Sequence, residues 1–197
     1  MKRAFDLLAC IPALLLLSPL LLVIAVLIKL ESKGPVLYLQ ERIGRNLKPF
    51  KICKFRTMVT DADRQGLLTV GGRDPRITRI GYYLRKFKLD ELPQLFNVIT
   101  GEMSIVGPRP EVRRYVELYS AEQRRVLSVK PGITDYASIA YVNENEILGK
   151  STDPERTYIE QIMPEKLELN LKYIAEKSLM TDVKIILKTL LSIVTAR

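Results

Sequence analysis

The sequence predicts a mixed α/β protein, mostly helical, with a membrane segment over residues 1–30 and a small cytosolic α/β domain over residues 31–197. Three observations support this class. Residues 7–28 contain no charge over 22 positions, apolar and polar residues alternate after Gly34, and apolar residues recur at helical spacing towards the C-terminus. At 197 residues, the chain is long enough for one domain with a buried core in addition to the apolar segment.

The apolar segment has three interpretations: a signal peptide, a bilayer-spanning helix, or a helix that enters the membrane and returns. A signal peptide has a shorter apolar part and a small-residue cleavage site, whereas Lys29-Leu30-Glu31 follows here. The apolar segment is long enough to cross a hydrocarbon core of about 30 Å as a helix. Pro12 and Pro19 interrupt the run, and the Ser18 hydroxyl can supply the donor that a proline removes. Basic residues on both flanks favour a cytosolic location for both ends, as in a re-entrant helix. A spanning helix is the plain alternative, and the residues alone give the two interpretations equal weight.

Two short strands are predicted after Gly34. Residues 36–39 are apolar and lead into a turn-like stretch over residues 40–46. Residues 50–56 alternate apolar side chains with Lys51, Lys54 and Arg56, which predicts a strand with one basic face. The polar residues 61–74 include three glycines and predict a loop.

Helices are predicted from apolar spacing and from capping residues. The predicted helices cover residues 77–88, 90–101 and 113–126, a stretch after Thr157, and residues 181–194 with Thr181 as the cap. The first of them is basic and amphipathic. The last is strongly amphipathic and can lie in the headgroup plane of a membrane or pack on the core; the sequence favours neither.

Composition restricts the chemistry. The formal charge of +9 and the pI near 9.6 suit a partner rich in phosphate, whether nucleic acid, an anionic membrane or a phosphorylated substrate. The absence of histidine excludes Ser-His-Asp and Cys-His sites and imidazole-bound zinc. Catalysis must therefore use carboxylates, Lys, Arg, Tyr or hydroxyls, and a metal would be a hard cation such as magnesium. Cys10 and Cys53 have no metal-ligand spacing and do not indicate a disulfide framework.

The densest group of candidate catalytic residues lies in residues 89–97. Proline is tolerated in the first turn of a helix, so Pro93 predicts Asp90 as the N-cap and Glu91 as the first helical residue. Two carboxylates then stand at the positive end of a helix, with Arg85 just upstream. A capped surface helix is the plain alternative. A cationic setting that keeps both carboxylates ionised suits a magnesium site or a carboxylate that attacks phosphate.

Two further stretches are candidates for phosphate binding. Arg109 lies between Pro108 and Pro110, and a rigidly presented guanidinium suits bidentate phosphate binding. Its alternative is a proline-rich connector with a solvated arginine. Residues 130–134 offer the Lys130 ammonium and the Thr134 hydroxyl in a turn, for which a plain turn is the favoured explanation.

These stretches together resemble the small monotopic phosphoglycosyl transferases, also called the bacterial sugar transferase family. The resemblance covers nearly the whole chain, and several long motifs occur in the family's order. They lie at residues 2–6, 18–19, 34–36, 50–58, 89–98, 101–110 and 130–134.

The resemblance implies a re-entrant helix broken at Ser18-Pro19, on the cytoplasmic face of the inner membrane. It implies that Asp90 attacks the sugar-bearing phosphorus of a UDP-sugar and releases UMP. Polyprenyl (undecaprenyl) phosphate then takes the sugar phosphate from Asp90, which is the first membrane step of glycoconjugate assembly: an O-antigen, a capsule, an exopolysaccharide or a glycoprotein glycan. Glu91, with Asp90, would hold Mg²⁺. The expected phosphate-binding residues are Arg109, Arg85, Lys54 and Arg56.

One stretch departs from the family pattern. Residues 135–146 lack the Gly-Trp-Ala-Gln-type sequence and an arginine common at this place, which leaves the nucleotide and sugar contacts open.

Two other functions fit the sequence: a membrane-anchored module that binds anions without catalysis, and a phosphohydrolase that uses water as the acceptor. The expected partners are the UDP-sugar, the polyprenyl phosphate and membrane lipids, without nucleic acid. A homodimer, the sugar and the pathway are left open.

Overall fold

The computed structural model describes residues 1–60, 62, 68 and 74–195, with side chains to residue 192, so the loop predicted over residues 61–74 lies almost wholly outside the described residues. The mixed, mostly helical α/β class is confirmed. The helices are α1 (Lys2–Glu31), α2 (Arg79–Lys86), α3 (Gln94–Thr100), α4 (Arg113–Val116), α5 (Tyr136–Ala140), α6 (Glu144–Gly149), α7 (Pro154–Thr157), α8 (Met163–Glu176) and α9 (Leu179–Thr195). The strands are β1 (Leu37–Ile43), β2 (Pro49–Phe55), β3 (Ser104–Val106) and β4 (Gly132–Thr134).

Helix α1 is continuous, with Pro12 and Pro19 inside it. Pro19 has no N–H, so the Leu15 carbonyl four residues earlier loses its usual donor. The Ser18 hydroxyl donates to this carbonyl at 2.8 Å, as the sequence indicated. Helical backbone therefore persists across Ser18 and Pro19. The structure does not confirm a helix-break-helix at this point, and the re-entrant path stays a prediction.

Both ends of α1 pack against the rest of the protein. Near its start, Cys10 contacts a cluster that includes Phe50 and Val98. Near its end, Ile24 and Ile28 join a cluster with Phe55 and Leu84. No residue from 11 to 23 is buried. The helix is therefore fixed at both ends and exposes its apolar middle.

Strands β1 and β2 form an antiparallel hairpin whose register runs from Leu37 opposite Phe55 to Ile43 opposite Pro49. The turn predicted over residues 40–46 is wrong, because residues 40–43 continue β1 and the chain turns between Gly44 and Lys48. The Gly44 N–H donates to the Lys48 carbonyl at 2.9 Å. Pairing with β2 and burial of Ile43, which is 1% exposed, extend the strand beyond its apolar part.

Strands β3 and β4 form a parallel pair, Ser104 opposite Gly132 and Val106 opposite Thr134, which brings two of the sequence motifs side by side. A Cβ on Gly132 would lie 2.1 Å from the Gly107 backbone nitrogen. Only glycine permits this approach of the two chains, which sets the position of the loop that follows β3.

The third predicted helix, residues 113–126, is wrong. Helix α4 ends at Val116, and a separate 3-10 turn covers Gln123–Ser128. The Ser120 N–H donates to Gln123 Oε1 at 2.9 Å and the Gln123 N–H to Ser120 Oγ at 3.2 Å. This reciprocal capping begins a new turn and interrupts the predicted helix.

The other helix ends differ slightly from their predictions. Helix α2 begins at Arg79 because Thr78 Oγ1 accepts the Gly81 N–H at 3.0 Å. Helix α9 begins at Leu179, and Ser178 rather than Thr181 supplies the cap: Ser178 Oγ accepts the Thr181 N–H at 3.0 Å. The helical structure predicted after Thr157 is confirmed by α8.

The largest core lies where α4, α6 and α8 pack on the end of β1. Its buried members are mainly aliphatic and tyrosine side chains: Ile43, Val112, Tyr115, Val116, Tyr119, Val126, Leu148, Tyr158, Ile162, Met163 and Leu167. This core supports the loop that carries Arg109 from one side.

Candidate active site

Asp90 lies in a 3-10 turn, Leu89–Glu91, and is not the N-cap of a helix as the sequence predicted. Helix α3 begins only at Gln94, with Pro93 at the cap position. Pro93 has no N–H to offer the Leu89 carbonyl, so that carbonyl accepts instead from the Leu92 N–H at 3.3 Å, the shorter 3-10 pattern. Lys88, in the left-handed region with φ 56°, separates this turn from α2.

Glu91 is held by two cations from other parts of the chain. Lys54 Nζ, on β2, donates to Glu91 Oε1 at 2.9 Å. The Arg109 guanidinium donates to both oxygens, Nη1 to Oε2 at 3.2 Å and Nη2 to Oε1. Three separate sequence motifs thus meet on one carboxylate, as bidentate arginine–carboxylate geometry allows.

The two neighbouring carboxyl groups shift in opposite directions. Burial raises the pKa of Glu91, but the charges of Arg109 and Lys54 outweigh burial and hold that pKa well below its usual range. The pKa of Asp90 is raised, by burial first and by the charge of Glu91 second, against the opposing charges of Lys54, Arg85 and Lys88. Asp90 is 9% exposed, and its Oδ1 has no hydrogen-bond partner among the described residues. The site therefore contains one paired carboxylate and one with a free oxygen.

The remaining two expected phosphate-binding residues lie differently. Arg85 is half-buried on the last turn of α2, close enough for its charge to lower the pKa of Asp90. The Arg56 guanidinium instead donates to the Ser32 carbonyl at 2.9 Å and to the Lys33 carbonyl at 2.5 Å. It fixes the chain that leaves α1 and is not brought into contact with Glu91.

Asn97 and Asp135 position the site, and neither was predicted from the sequence to have a role. The Cys53 N–H donates to Asn97 Oδ1 at 2.9 Å, and Asn97 Nδ2 donates to the Lys51 carbonyl at 2.8 Å, which clamps α3 to β2. Asp135, fully buried, accepts the Arg109 N–H at 3.2 Å and the Ser138 N–H at 2.6 Å. The position of Asn97 in a long motif was its only sequence signal. Asp135 begins the stretch that departs from the family pattern.

Comparison with known proteins identifies the family of this chain. Residues 1–196 match the family described as bacterial sugar transferase, and the chain belongs to that family. It is 41% identical over 199 residues to UDP-N-acetylgalactosamine-undecaprenyl-phosphate N-acetylgalactosaminephosphotransferase of Aeromonas hydrophila, covering 98% of this chain and 44% of that protein. It is 40% identical over 197 residues to UDP-glucose:undecaprenyl-phosphate glucose-1-phosphate transferase of Escherichia coli (strain K12), covering 96% and 39% respectively.

A third relative is similar in length. The exopolysaccharide production protein PSS of Rhizobium leguminosarum bv. phaseoli is 39% identical over 203 residues, which cover 99% of this chain and 96% of that protein. The chain therefore spans less than half of the first two relatives and nearly all of the third.

Proposed function

We propose that this chain transfers a sugar phosphate from a UDP-sugar to undecaprenyl phosphate through a covalent intermediate on Asp90. The observation that supports it most is the buried Asp90 carboxylate, whose Oδ1 is unpaired within the described part of the chain, next to a Glu91 that two cations hold ionised. The family membership and the names of the relatives agree with this donor and acceptor.

The reaction balances in two steps. Asp90 Oδ1 forms a bond to the β-phosphorus, the bond from that phosphorus to the bridging oxygen breaks, and UMP leaves with the oxygen. A phosphate oxygen of undecaprenyl phosphate then attacks the same phosphorus, and the Asp90 carboxylate leaves. An ionised carboxylate needs no general base, which is consistent with a chain that has no histidine.

Charge brings the anionic reactants together. Lys54, Arg85, Lys88 and Arg109 place four cations against the two carboxylates Asp90 and Glu91. The site keeps a positive excess, which attracts a diphosphate and offsets its repulsion from the nucleophile. Arg109 and Lys54 also hold Glu91 in place, and Asp135 fixes the backbone that presents Arg109.

The oxygens at this site fit magnesium, which we propose as the cofactor. From the residues that the structure describes, Glu91 Oε2 receives a single hydrogen bond, from Arg109, and Asp90 Oδ1 receives none, so both keep acceptor capacity. No group of three or more potential ligand side chains exists in the described part of the chain. Magnesium commonly takes one or two carboxylates together with substrate phosphates and water. Bound there, it would neutralise charge on the diphosphate.

We further propose that α1 is monotopic, with both ends on the cytoplasmic side. The water-facing domain buries Asp6 and Cys10 near one end and Ile24 and Ile28 near the other. Only residues 11–23 lie between these anchors, and 13 helical residues extend about 20 Å. A hydrocarbon core is about 30 Å thick, so the free part is too short to cross it. The exposed leucines of this part then reach only part of the way into the lipid, and the site stays near the headgroups.

Intact-mass measurement tests the chemistry. The purified chain is mixed with Mg²⁺ and single UDP-sugars without acceptor, and the correct donor should add one sugar phosphate to the wild type and none to Asp90→Asn. Adding undecaprenyl phosphate should remove the adduct and release UMP in proportion. Absence of an adduct with a donor that is turned over would contradict the covalent route. Rapid UMP release without acceptor would instead indicate a hydrolase.

A further inference from the structure

A cavity of about 340 Å³ opens beside the first turn of α1, and it is lined by neither Asp90 and Glu91 nor the cations Lys54 and Arg109 that bind Glu91. Five of its lining residues are cationic, and one is a carboxylate. The cations are Lys2, Arg3, Arg45, Lys130 and Lys177, and the carboxylate is Asp6. We call this cavity the basic cleft.

The carboxylates near the basic cleft are already occupied. Asp6 accepts from Ser104 Oγ at 2.9 Å and from the Ile105 N–H at 3.2 Å. Asp182 accepts from Lys2 Nζ at 2.5 Å and from the Tyr173 hydroxyl at 2.7 Å. Within the described residues, the side chains of Arg45, Lys130 and Lys177 form no hydrogen bond or ion pair. The positive charge of the cleft is therefore largely uncompensated.

Two of the five cations lie close together at the C-terminal end of α3. A Cβ built on Gly101 would lie 3.4 Å from Arg3 Nη2 and 3.5 Å from Lys130 Nζ, and the Arg3 guanidinium donates to the Ile99 carbonyl at 2.6 Å and to the Val98 carbonyl. Burial first, and then the charges of Arg3 and Arg45, lower the pKa of Lys130. Like charges held this close are stabilised by an anion that bridges them, and phosphate oxygens bind Lys and Arg strongly.

We propose that the basic cleft binds the phosphate of an anionic bilayer phospholipid. The proposal rests on the membrane location of α1 given above, because the cleft adjoins Lys2 and Arg3, which directly precede the apolar residues 7–28. This location places the cleft at headgroup level, where lipid phosphates are concentrated. A bound headgroup would fix the depth and rotation of the domain on the membrane, a role separate from sugar-phosphate transfer.

Lipid titration of the full chain in non-ionic detergent tests the site. Short-chain phosphatidylglycerol should bind the wild type and raise its unfolding temperature, and phosphatidylcholine should not. The double variant Arg45→Gln/Lys130→Gln should bind phosphatidylglycerol at least about tenfold more weakly, because two charge-assisted contacts are lost. The matched variant Lys150→Gln/Lys172→Gln removes two exposed charges outside the cleft and should bind as the wild type does.

Several results would overturn the proposal: equal binding of the two lipids, unchanged binding by the Arg45/Lys130 variant in a form that unfolds cooperatively, or equal loss in the matched variant. Undecaprenyl phosphate or inorganic phosphate that displaces phosphatidylglycerol at equal concentration would assign the cleft to another phosphate. UMP release by the wild type, measured separately, reports on the transferase. If the wild type releases no UMP, the lipid titration still tests whether the basic cleft binds phosphatidylglycerol.

Discussion

Two buried carboxylate networks lie close together in this protein and are completed to different extents. In the first, Glu111 accepts from Arg42 Nη1 on Oε2 at 3.3 Å and from the Tyr158 hydroxyl on Oε1 at 2.5 Å. Both oxygens are thus partnered. In the second, Glu91 is paired with Lys54 and Arg109, but Oδ1 of the adjacent Asp90 has no partner in the described ranges of the chain.

The two networks differ in their roles: the network of Glu111 stabilises the fold, and Asp90 is proposed to react with the substrate. A buried polar atom without a partner costs about 1–3 kcal/mol, whereas a completed network fixes the elements that it joins. Glu111 joins β1 to the region of Tyr158, since its carbonyl also accepts the Ile43 N–H at 2.9 Å. Oδ1 of Asp90 makes no such contact within the described residues, so its capacity to accept a bond is unused. Four variants test this difference, in order of decreasing effect.

Replacing Asp90 by asparagine should affect activity and stability in opposite ways. Turnover, measured as UMP release, should fall at least about 10⁴-fold because the nucleophile is lost. The unfolding temperature should stay the same or rise, because a desolvated charge beside Glu91 is removed. Activity within tenfold of the wild type would show that Asp90 is not the nucleophile.

Replacing Glu111 by glutamine should lower the stability of the protein and change its activity little. The free energy of unfolding, measured in urea at pH 7, should fall by about 3 kcal/mol, because the largely buried Arg42, 21% exposed, is left without its partner charge. Turnover per folded molecule should change only a few-fold. The exposed Glu117→Gln serves as the control.

The same variant has a defined pH dependence. Burial raises the pKa of Glu111, but Arg42, Lys166 and the Tyr158 hydrogen bond outweigh burial and leave that pKa below its usual value. A lowered folded-state pKa stabilises above the unfolded-state pKa of about 4.3, and the contribution is lost as the pH falls. The stability gap between wild type and Glu111→Gln should therefore narrow in acid. A gap independent of pH would attribute the effect to packing.

Replacing Arg109 by lysine keeps the charge and removes the bidentate contact with Glu91. We expect kcat/KM to fall about 100-fold, as for loss of one positioned donor at a phosphate or oxyanion site. Arg113→Lys, an exposed arginine on α4, is the matched control. Equal effects in the two variants would remove the role assigned to the guanidinium.

Replacing Lys54 by glutamine should give the smallest effect, a shift in pH dependence. The charge of Lys54 lowers the pKa of Asp90, so its removal raises that pKa further. Because ionised Asp90 is the reactive form, the acid limb of the profile of kcat/KM against pH should move to higher pH. Lys51→Gln, an exposed residue on the same strand, should leave the limb in place.

Much of the fold and site could be predicted from local sequence. The hairpin strands, the end of α3 at Gly101 and the Ser18 hydrogen bond to Leu15 depend on neighbouring residues. The prediction that α3 starts at Asp90 was wrong, because a proline permits more than one turn geometry near a helix end. In addition, Lys88 follows α2 in a left-handed conformation. The alternating pattern over residues 50–56 predicted Arg56 on the same strand face as Lys54. Strand β2 ends at Phe55, so Arg56 no longer shares that face.

The sequence by itself determined the apolar segment, the order of the motifs and the candidate nucleophile, because charge, periodicity and proline act over a few residues. Only the tertiary structure decided that Lys54 and Arg109 both bind Glu91 and that Asp90 keeps a free oxygen. The same holds for the contact of both ends of α1 with one domain. Such contacts join residues tens of positions apart, and their geometry is set by the packing of β2, α3 and the loop after β3.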